Sequence, residues 1–383
     1  MSGNERPRSK WRRLIRIVCS LVSLAVLTYI AVSLISGRGL GLSWFPDLFS
    51  TREPIEMADE YDFDVGRGRV FADLGGSLAA AGTLGVQVLD AGGGETLRDP
   101  FRMVCPAIDA RNGLAIAFDI GGTDVRAFSK SDIIASVTAD SAIISASINR
   151  NGWFCVCTQE GGGFKGAATV YNNKGGEVYK VRMASGYVLS AALSPDNKSL
   201  SVLNLTDGGS RVTFYNLNSE NPDNSFDLPG GLIIDILYLS SGDLLVVSTD
   251  ALISIDKHWE GRTLYEFSGR ILSKYTLADD FSAIHLLDYG VGYRGLLVTL
   301  GEGGNLLGEL TTDREVISMS AGGGYLTILQ NDGLVFFNSR LEELPHLENP
   351  GSTIGAAQVL SLDNGAALAA GDHSAVVFRL AEG

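Results

Sequence analysis

The strongest constraint on this chain is a phrase that it repeats. Leu193 to Asn218 read "LSPDNKSLSVLNLTDGGSRVTFYNLN": an apolar start, a polar turn, a strand through Leu200, Val202 and Leu203, a glycine break, then a strand through Val212, Phe214 and Leu217. Proline presets a turn dihedral and Asp-Asn supplies turn-forming side chains, while β-branched and aromatic residues carry the strands. No helical spacing survives across the window.

Eight copies of the first half occur: ADLGGSLAAAG (72–82), IDARNGLAIAF (108–118), INRNGWFCVC (148–157), LSPDNKSLSV (193–202), LSSGDLLVV (239–247), LADDFSAIHLL (277–287), SAGGGYLTIL (320–329) and LSLDNGAALAA (360–370). Their starts lie 36, 40, 45, 46, 38, 43 and 40 residues apart, the spacing of four-stranded propeller blades and too long for leucine-rich or ankyrin units. Each is followed by a second phrase, such as GVQVLD (85–90), AATVYN (167–172), ALISID (251–256) or GLVFFN (333–338), read as the third strand of a blade. One such unit cannot bury both its faces, whereas a radial ring can, leaving only short outer edges. The expected fold is therefore all-β, an eight-bladed β-propeller, with seven blades as the alternative. The last copy stops after Leu380-Ala-Glu-Gly, which leaves its blade three strands; the alternating Tyr61-Asp-Phe-Asp-Val65 is expected to supply the fourth and close the ring.

Ahead of the repeats, Ile17 to Ile35 form 19 residues without a charge. At ~1.5 Å per residue a helix there is roughly 28 Å long, against about 30 Å of bilayer hydrocarbon. A secretory signal peptide is the competing reading, disfavoured by the length of the apolar run and the lack of a small-x-small cleavage site. Arg6, Arg8, Lys10, Arg12, Arg13 and Arg16 precede the run and Arg38 alone closely follows it, so the N-terminus is expected inside and the ring outside the cytoplasmic membrane, in a single pass. The expected organisation is a basic cytoplasmic tail (1–16), a transmembrane helix (17–35), a juxtamembrane linker (36–60) and a propeller ectodomain (61–383). In the linker, Trp44, Phe45 and Phe49 read equally as an interfacial aromatic anchor or as irregular chain.

The formal charge of −14 is uneven. Residues 1–38 hold seven of the 30 Lys and Arg and one of the 44 Asp and Glu, leaving 23 basic and 43 acidic residues, a net −20, in the remainder. Such a domain repels nucleic acid and anionic head groups. The expected partners are the membrane, through the N-terminal helix, and a protein or envelope component, with no nucleic acid.

Signatures of chemistry are weak. Ser254-Ile-Asp-Lys257 has a Ser-x-x-Lys spacing but lies in a strand, and "GGGFKGAAT" (161–169) lacks both the phosphate-loop order and a following helix. Asp279-Asp280 and Asp62/Asp64 lack calcium-loop spacing. Cys155 and Cys157, two apart on one strand face, are poorly placed for a mutual disulfide, and His258, His285, His346 and His373 are scattered over different blades. Buried free thiols are expected, with no metal and no cofactor. Long loops between second and third strands are expected at "TQEGGGFKG" (158–166), "LNLTDGGS" (203–210) and "DYGVGYRG" (288–295), where Phe164, Lys165, Tyr289, Tyr293 and Arg294 are of the types enriched at interaction hot spots. These five are the candidate binding residues; no catalytic residue stands out.

The block 113–202, with its phrases FDIGG (118–122), YNNKGGEVYK (171–180) and ALSPDNKSL (192–200), resembles a family of clostridial membrane-anchored propellers catalogued as a domain of unknown function, numbered 5711. The similarity extends from the apolar run to the C-terminus. It implies a bacterial surface propeller and brings no catalytic residues to carry over. More distantly the chain is similar to WD40-like and quinoprotein-like propellers, but it has no repeated Trp-Asp or Gly-His pair, and Trp11, Trp44, Trp153 and Trp259 do not recur by blade. The function expected is a non-enzymatic protein- or ligand-binding scaffold. The alternative is a hydrolase or lyase acting on an envelope polymer through acidic residues near the central channel.

Overall fold

The computed structural model describes residues 56–379, apart from 279–280, 291, 332, 345–346, 349–354, 363–365 and 372–373. Eight four-stranded antiparallel sheets follow one another along the chain. The innermost strands of blades 1 to 7 are Val70–Asp73, Pro106–Arg111, Ile143–Ile148, Tyr187–Leu193, Ile233–Tyr238, Ile271–Leu277 and Val316–Gly322. Blade 8 takes Gln358–Ser361, Ala366–Ala370 and Ser374–Arg379 from the C-terminal end and Glu56–Asp62 from the N-terminal end, the last paired antiparallel to Ser374–Arg379. The ring has eight blades, and the phrases read as third strands are all third strands.

The closing strand begins at Glu56 and ends at Asp62, earlier than the alternation of Tyr61, Phe63 and Val65 suggests. Those three side chains are all buried, but only Tyr61 belongs to the ladder. Phe63 and Val65 lie on the crossing from blade 8 to blade 1, where the Leu84 N–H donates to Val65 O at 2.9 Å. Gly82 permits that crossing, since a Cβ there would lie 2.2 Å from Val65 O. Alternation thus reports burial, which extends past the paired residues.

Eight hydrophobic clusters hold the ring, one between each pair of neighbouring blades. Second strands feed two clusters at once: Phe154 and Val156 pack toward blade 2, Cys155 and Cys157 toward blade 4. This two-sided burial explains why the repeats read as continuous apolar runs rather than alternating ones. Each fully buried Leu, Ile or Phe contributes on the order of 1.5–3 kcal/mol. Closure between blades 8 and 1 joins Leu368, Ala375 and Val377 to Phe71, Leu78 and Leu89.

The polar end of the third-strand phrase has its own role. Asp90, Asn172, Asp256 and Asn338 each turn Oδ1 onto two backbone N–H groups, two and four residues on, at 2.8–3.0 Å. The residue three positions on adopts a left-handed backbone, with Gly93, Gly175, Trp259 and Leu341 filling that place. This is the type I turn with a left-handed exit that joins hairpin strands of matching twist. By contrast, "LNLTDGGS" is not a long loop. Strands Ser199–Thr206 and Gly209–Asn216 pair up to Thr206↔Gly209, so only Asp207 and Gly208 turn the chain. The Asp-Gly pair there makes a tight hairpin rather than a break.

Among the described residues no helix is long and apolar enough to cross a membrane, and the run 17–35, with the linker aromatics, lies outside them.

Candidate functional site

Within each blade the strands run alternately, so turns between strands one and two and between strands three and four crowd one face. Turns between strands two and three share the other face with the blade-to-blade connections. We call these the polar-turn face and the loop face. Of the 14 large exposed hydrophobic side chains among the described residues, 11 lie on the loop face, in its turns and connections or within two residues of them. Val178, Trp259 and Leu306 are the remainder. This one-sided distribution makes the loop face the first candidate, since contiguous exposed apolar patches are a feature of interaction surfaces.

The five residues expected from sequence are all there, but in two groups separated by blades 4 and 5. On blade 3, Phe164 is exposed and the Lys165 ammonium lies 5.1 Å from the ring centroid of Tyr187, at the start of blade 4. The Lys165 N–H donates to Met183 O at 2.7 Å, which fixes the loop to its own blade. On blade 6, Tyr289 and Tyr293 project outward, Tyr289 with 83% of its surface free. Beneath them Asp288 joins two arginines: Arg270 Nε at 2.8 Å and Arg294 Nε at 3.4 Å. Arg294 therefore braces the loop as well as presenting charge. Between the groups Leu232 and Ile234 of blade 5 continue the apolar surface, with Ile271 leading into blade 6. Sequence reasoning missed these and Tyr187, because an apolar residue at the start of an innermost strand looks like core until its blade is placed.

The central channel is the second candidate. An innermost strand has one edge without a ladder partner, and short polar side chains of the preceding blade satisfy it. Ser145 Oγ and Ser147 Oγ donate to Leu189 O and Ala191 O at 2.9 and 2.8 Å. Ile148 N–H donates to Asp109 Oδ2 at 2.9 Å, and Val359 and Ser361 N–H donate to Ser318 and Ser320 Oγ at 3.1 and 2.9 Å. Blades 3 to 7 each carry a ladder irregularity near the start of the innermost strand, and the first residue paired after it is Ser145, Ser190, Asp235, Lys274 or Ser318. That recurring polar position was readable in the sequence had the irregularity been anticipated. Of these five, Ser145 and Ser318 bond a neighbouring strand edge, whereas Ser190 and Asp235 differ from them. Ser190 Oγ is buried with no hydrogen-bond partner. Asp235 accepts from its neighbour Ile236 N–H at 2.8 Å and from Tyr275 Oη at 3.1 Å. Burial, with the charge of Asp109 adding to it, pushes the Asp235 carboxyl above the usual carboxylate range. Asp235, Ser190, Asp109 and Arg111 all line a cavity of about 230 Å³.

No group of three or more His, Cys, Asp or Glu among the described residues is placed to hold a metal ion. His285 is buried on a blade 6 second strand, its Nε2 sharing a hydrogen bond with Thr312 Oγ1 at 2.9 Å; His346 and His373 lie outside the described residues. Cys105, Cys155 and Cys157 are free thiols. Burial pushes the Cys155 thiol up to about 12 and raises Cys157 too, so both are inert. Cys105, expected buried, is exposed, because it lies on the loop-face connection one residue before its strand.

Solved structures share the architecture. BamB from Moraxella catarrhalis is 16% identical, with a TM-score of 0.56 over 85% of this chain and 99% of that one. The C-terminal WD40 domain of Sif2 is 8% identical, with a TM-score of 0.58 over 87% and 100%. AztD from Citrobacter koseri is 10% identical, with a TM-score of 0.50 over 73% and 85%. At these identities the likeness is one of fold. No match to this sequence is found among curated proteins. A family profile does match, over residues 50–341 and so through most of the ring, and the chain thereby belongs to the family of unknown function DUF5711.

Proposed function

We propose that this protein is a non-enzymatic binding scaffold of the cell surface, anchored in the cytoplasmic membrane by residues 17–35, whose loop face docks a protein partner. The observation that carries the reading is the one-sided distribution of exposed apolar side chains, running over blades 1 to 6 with two aromatic groups. A surface of that breadth suits a macromolecule better than a small molecule, and tyrosines beside Lys165 and Arg294 are the residue types that dominate protein interfaces. The alternative, an envelope-polymer hydrolase or lyase, needs two carboxylates converging on one bond. Asp109 instead accepts Ile148 N–H and lies 3.8 Å from Arg111 Nη1, which suits holding a strand edge.

The test is photo-crosslinking in intact cells with a reactive residue placed at Val104, Tyr187 or Tyr293, and at Trp259 on the other face as control. The expected result is one shared protein adduct from the three loop-face positions, absent at Trp259, with the Val104 and Tyr187 adducts lost on Tyr289→Ala/Tyr293→Ala. Equal adducts from both faces, or none from the loop face, overturn the reading. Protease treatment of the same cells should remove the acidic ring and leave the basic tail.

A further inference from the structure

We infer that the central channel holds a second binding site, for a small zwitterion of the α-amino-acid type, with its ammonium on Asp235 and Ser190 and its carboxylate on Arg111. The site is independent of the loop face. Its walls are the innermost strands of blades 2 to 5, and its volume, about 230 Å³, is that of a small molecule; Asp109, Arg111 and Leu237 also border a wider space of about 560 Å³.

Three groups there have unspent capacity, and they differ in sign. Among the described residues Asp235 has no cation within ion-pair distance: its partners are a phenol and its own neighbour's amide. Lys274 holds the equivalent ladder place on blade 6 without pairing to it, and Arg111 acts on it only at a distance. A carboxylate accepts about four hydrogen bonds, and a buried one without a counter-charge is costly. Ser190 Oγ is the one hydroxyl of its kind on these strands that finds no edge to bond, although Ser145 and Ser147, one blade earlier, both do. An ammonium, with three donors and no acceptor, answers both deficits together.

Arg111, on blade 2, supplies the opposite pole. Its Nη1 donates to Ala110 O at 2.9 Å and lies 3.8 Å from Asp109 Oδ1. These contacts use a fraction of its five donors, and the fork matches a carboxylate in two-pronged fashion. Asp109 is itself held by Ile148 N–H, so it keeps the guanidinium in place rather than competing for the ligand. An inorganic cation fits less well, because the lining offers one uncommitted carboxyl and two guanidinium groups, Arg111 and Arg150, instead of a shell of oxygens.

The experiment is thermal unfolding of the full-length protein against each of the common L-amino acids at millimolar concentration. The best responder is then compared with its N-acetylated form, which lacks the ammonium, and its decarboxylated amine, which lacks the carboxylate. The expected result is a concentration-dependent rise in Tm, with each altered ligand weaker by about tenfold or more, the worth of one charge-assisted hydrogen bond. Asp235→Asn and Arg111→Gln should each abolish the rise, and Ser190→Ala should weaken it severalfold. Loop-face crosslinking should persist in all three, which separates failure here from failure of the scaffold reading. Should one variant fold poorly, the others and the two altered ligands still decide. No response across the panel, or a response unchanged by N-acetylation, overturns the inference.

Discussion

Acidification is expected to weaken the ring through His285. The imidazole is 1% exposed, its Nδ1 has no partner, and burial, with the nearby charge of Lys274, lowers its proton affinity from 6.5 to about 4. The unfolded chain takes up the proton near 6.5 while the folded chain refuses it until about 4. The stability associated with neutral His285 is thus fully present above the unfolded value and is lost as pH falls toward the folded one. With these two values the loss between about pH 7.5 and about pH 5 is about 2 kcal/mol, approaching roughly 3 kcal/mol well below pH 4. His285→Leu removes the titration at little steric risk, because Leu203 in blade 4 and Leu329 in blade 7 hold the same place, the first pair after the ladder irregularity. Urea unfolding of both proteins at the two pH values, followed by circular dichroism, makes the comparison. Other groups titrate alike in both, so the difference isolates this one. The wild type should lose about 2 kcal/mol more than the leucine variant. Parallel losses would refute the reasoning, as would a histidine proton signal titrating near 6.5 in the folded protein.

Three further outcomes are expected. Asp235, raised by burial and by the charge of Asp109 against the opposing effects of the Ile236 N–H, Tyr275 and Arg111, prefers to be neutral in the fold, so stability lent by the protonated form should decline as pH rises past the ordinary carboxylate range. Asp235→Asn should flatten that decline in denaturant titrations; an unchanged slope would count against it. Ser268 is exposed and held at a φ of 53°, so Ser268→Gly should relieve about 1 kcal/mol of backbone strain, partly offset by unfolded-chain entropy, and raise Tm slightly. Of Cys105, Cys155 and Cys157, only Cys105 should react with iodoacetamide in the native state; peptide mapping that found Cys155 modified would contradict the burial described.

Much of the architecture was legible because a propeller repeats its solution. The blade spacing, the third-strand phrases and the need for a fourth strand in the last blade follow from hairpins that cannot bury two faces alone. Tyr61, Phe63 and Val65 reported burial correctly, while the ladder that includes Glu56 depends on a partner strand more than 300 residues away. "TDGG" was ambiguous for a similar reason. Asp-Gly serves a loop or a tight turn equally, and the pairing of Leu205 with Ser210 decides.

The candidate sites divide along the same line. The sequence alone determined which residue types occupy turns, and so singled out Phe164, Lys165, Tyr289, Tyr293 and Arg294. It could not place Tyr187 beside Lys165, nor Asp235 beside a cavity shared with Arg111, since those neighbours come from different blades. Periodicity is a property of one strand and its two faces, whereas a channel or a docking face exists only after eight separate sheets share an axis. Closure of the ring, set by burial between blades 8 and 1, therefore decided what the local pattern left open.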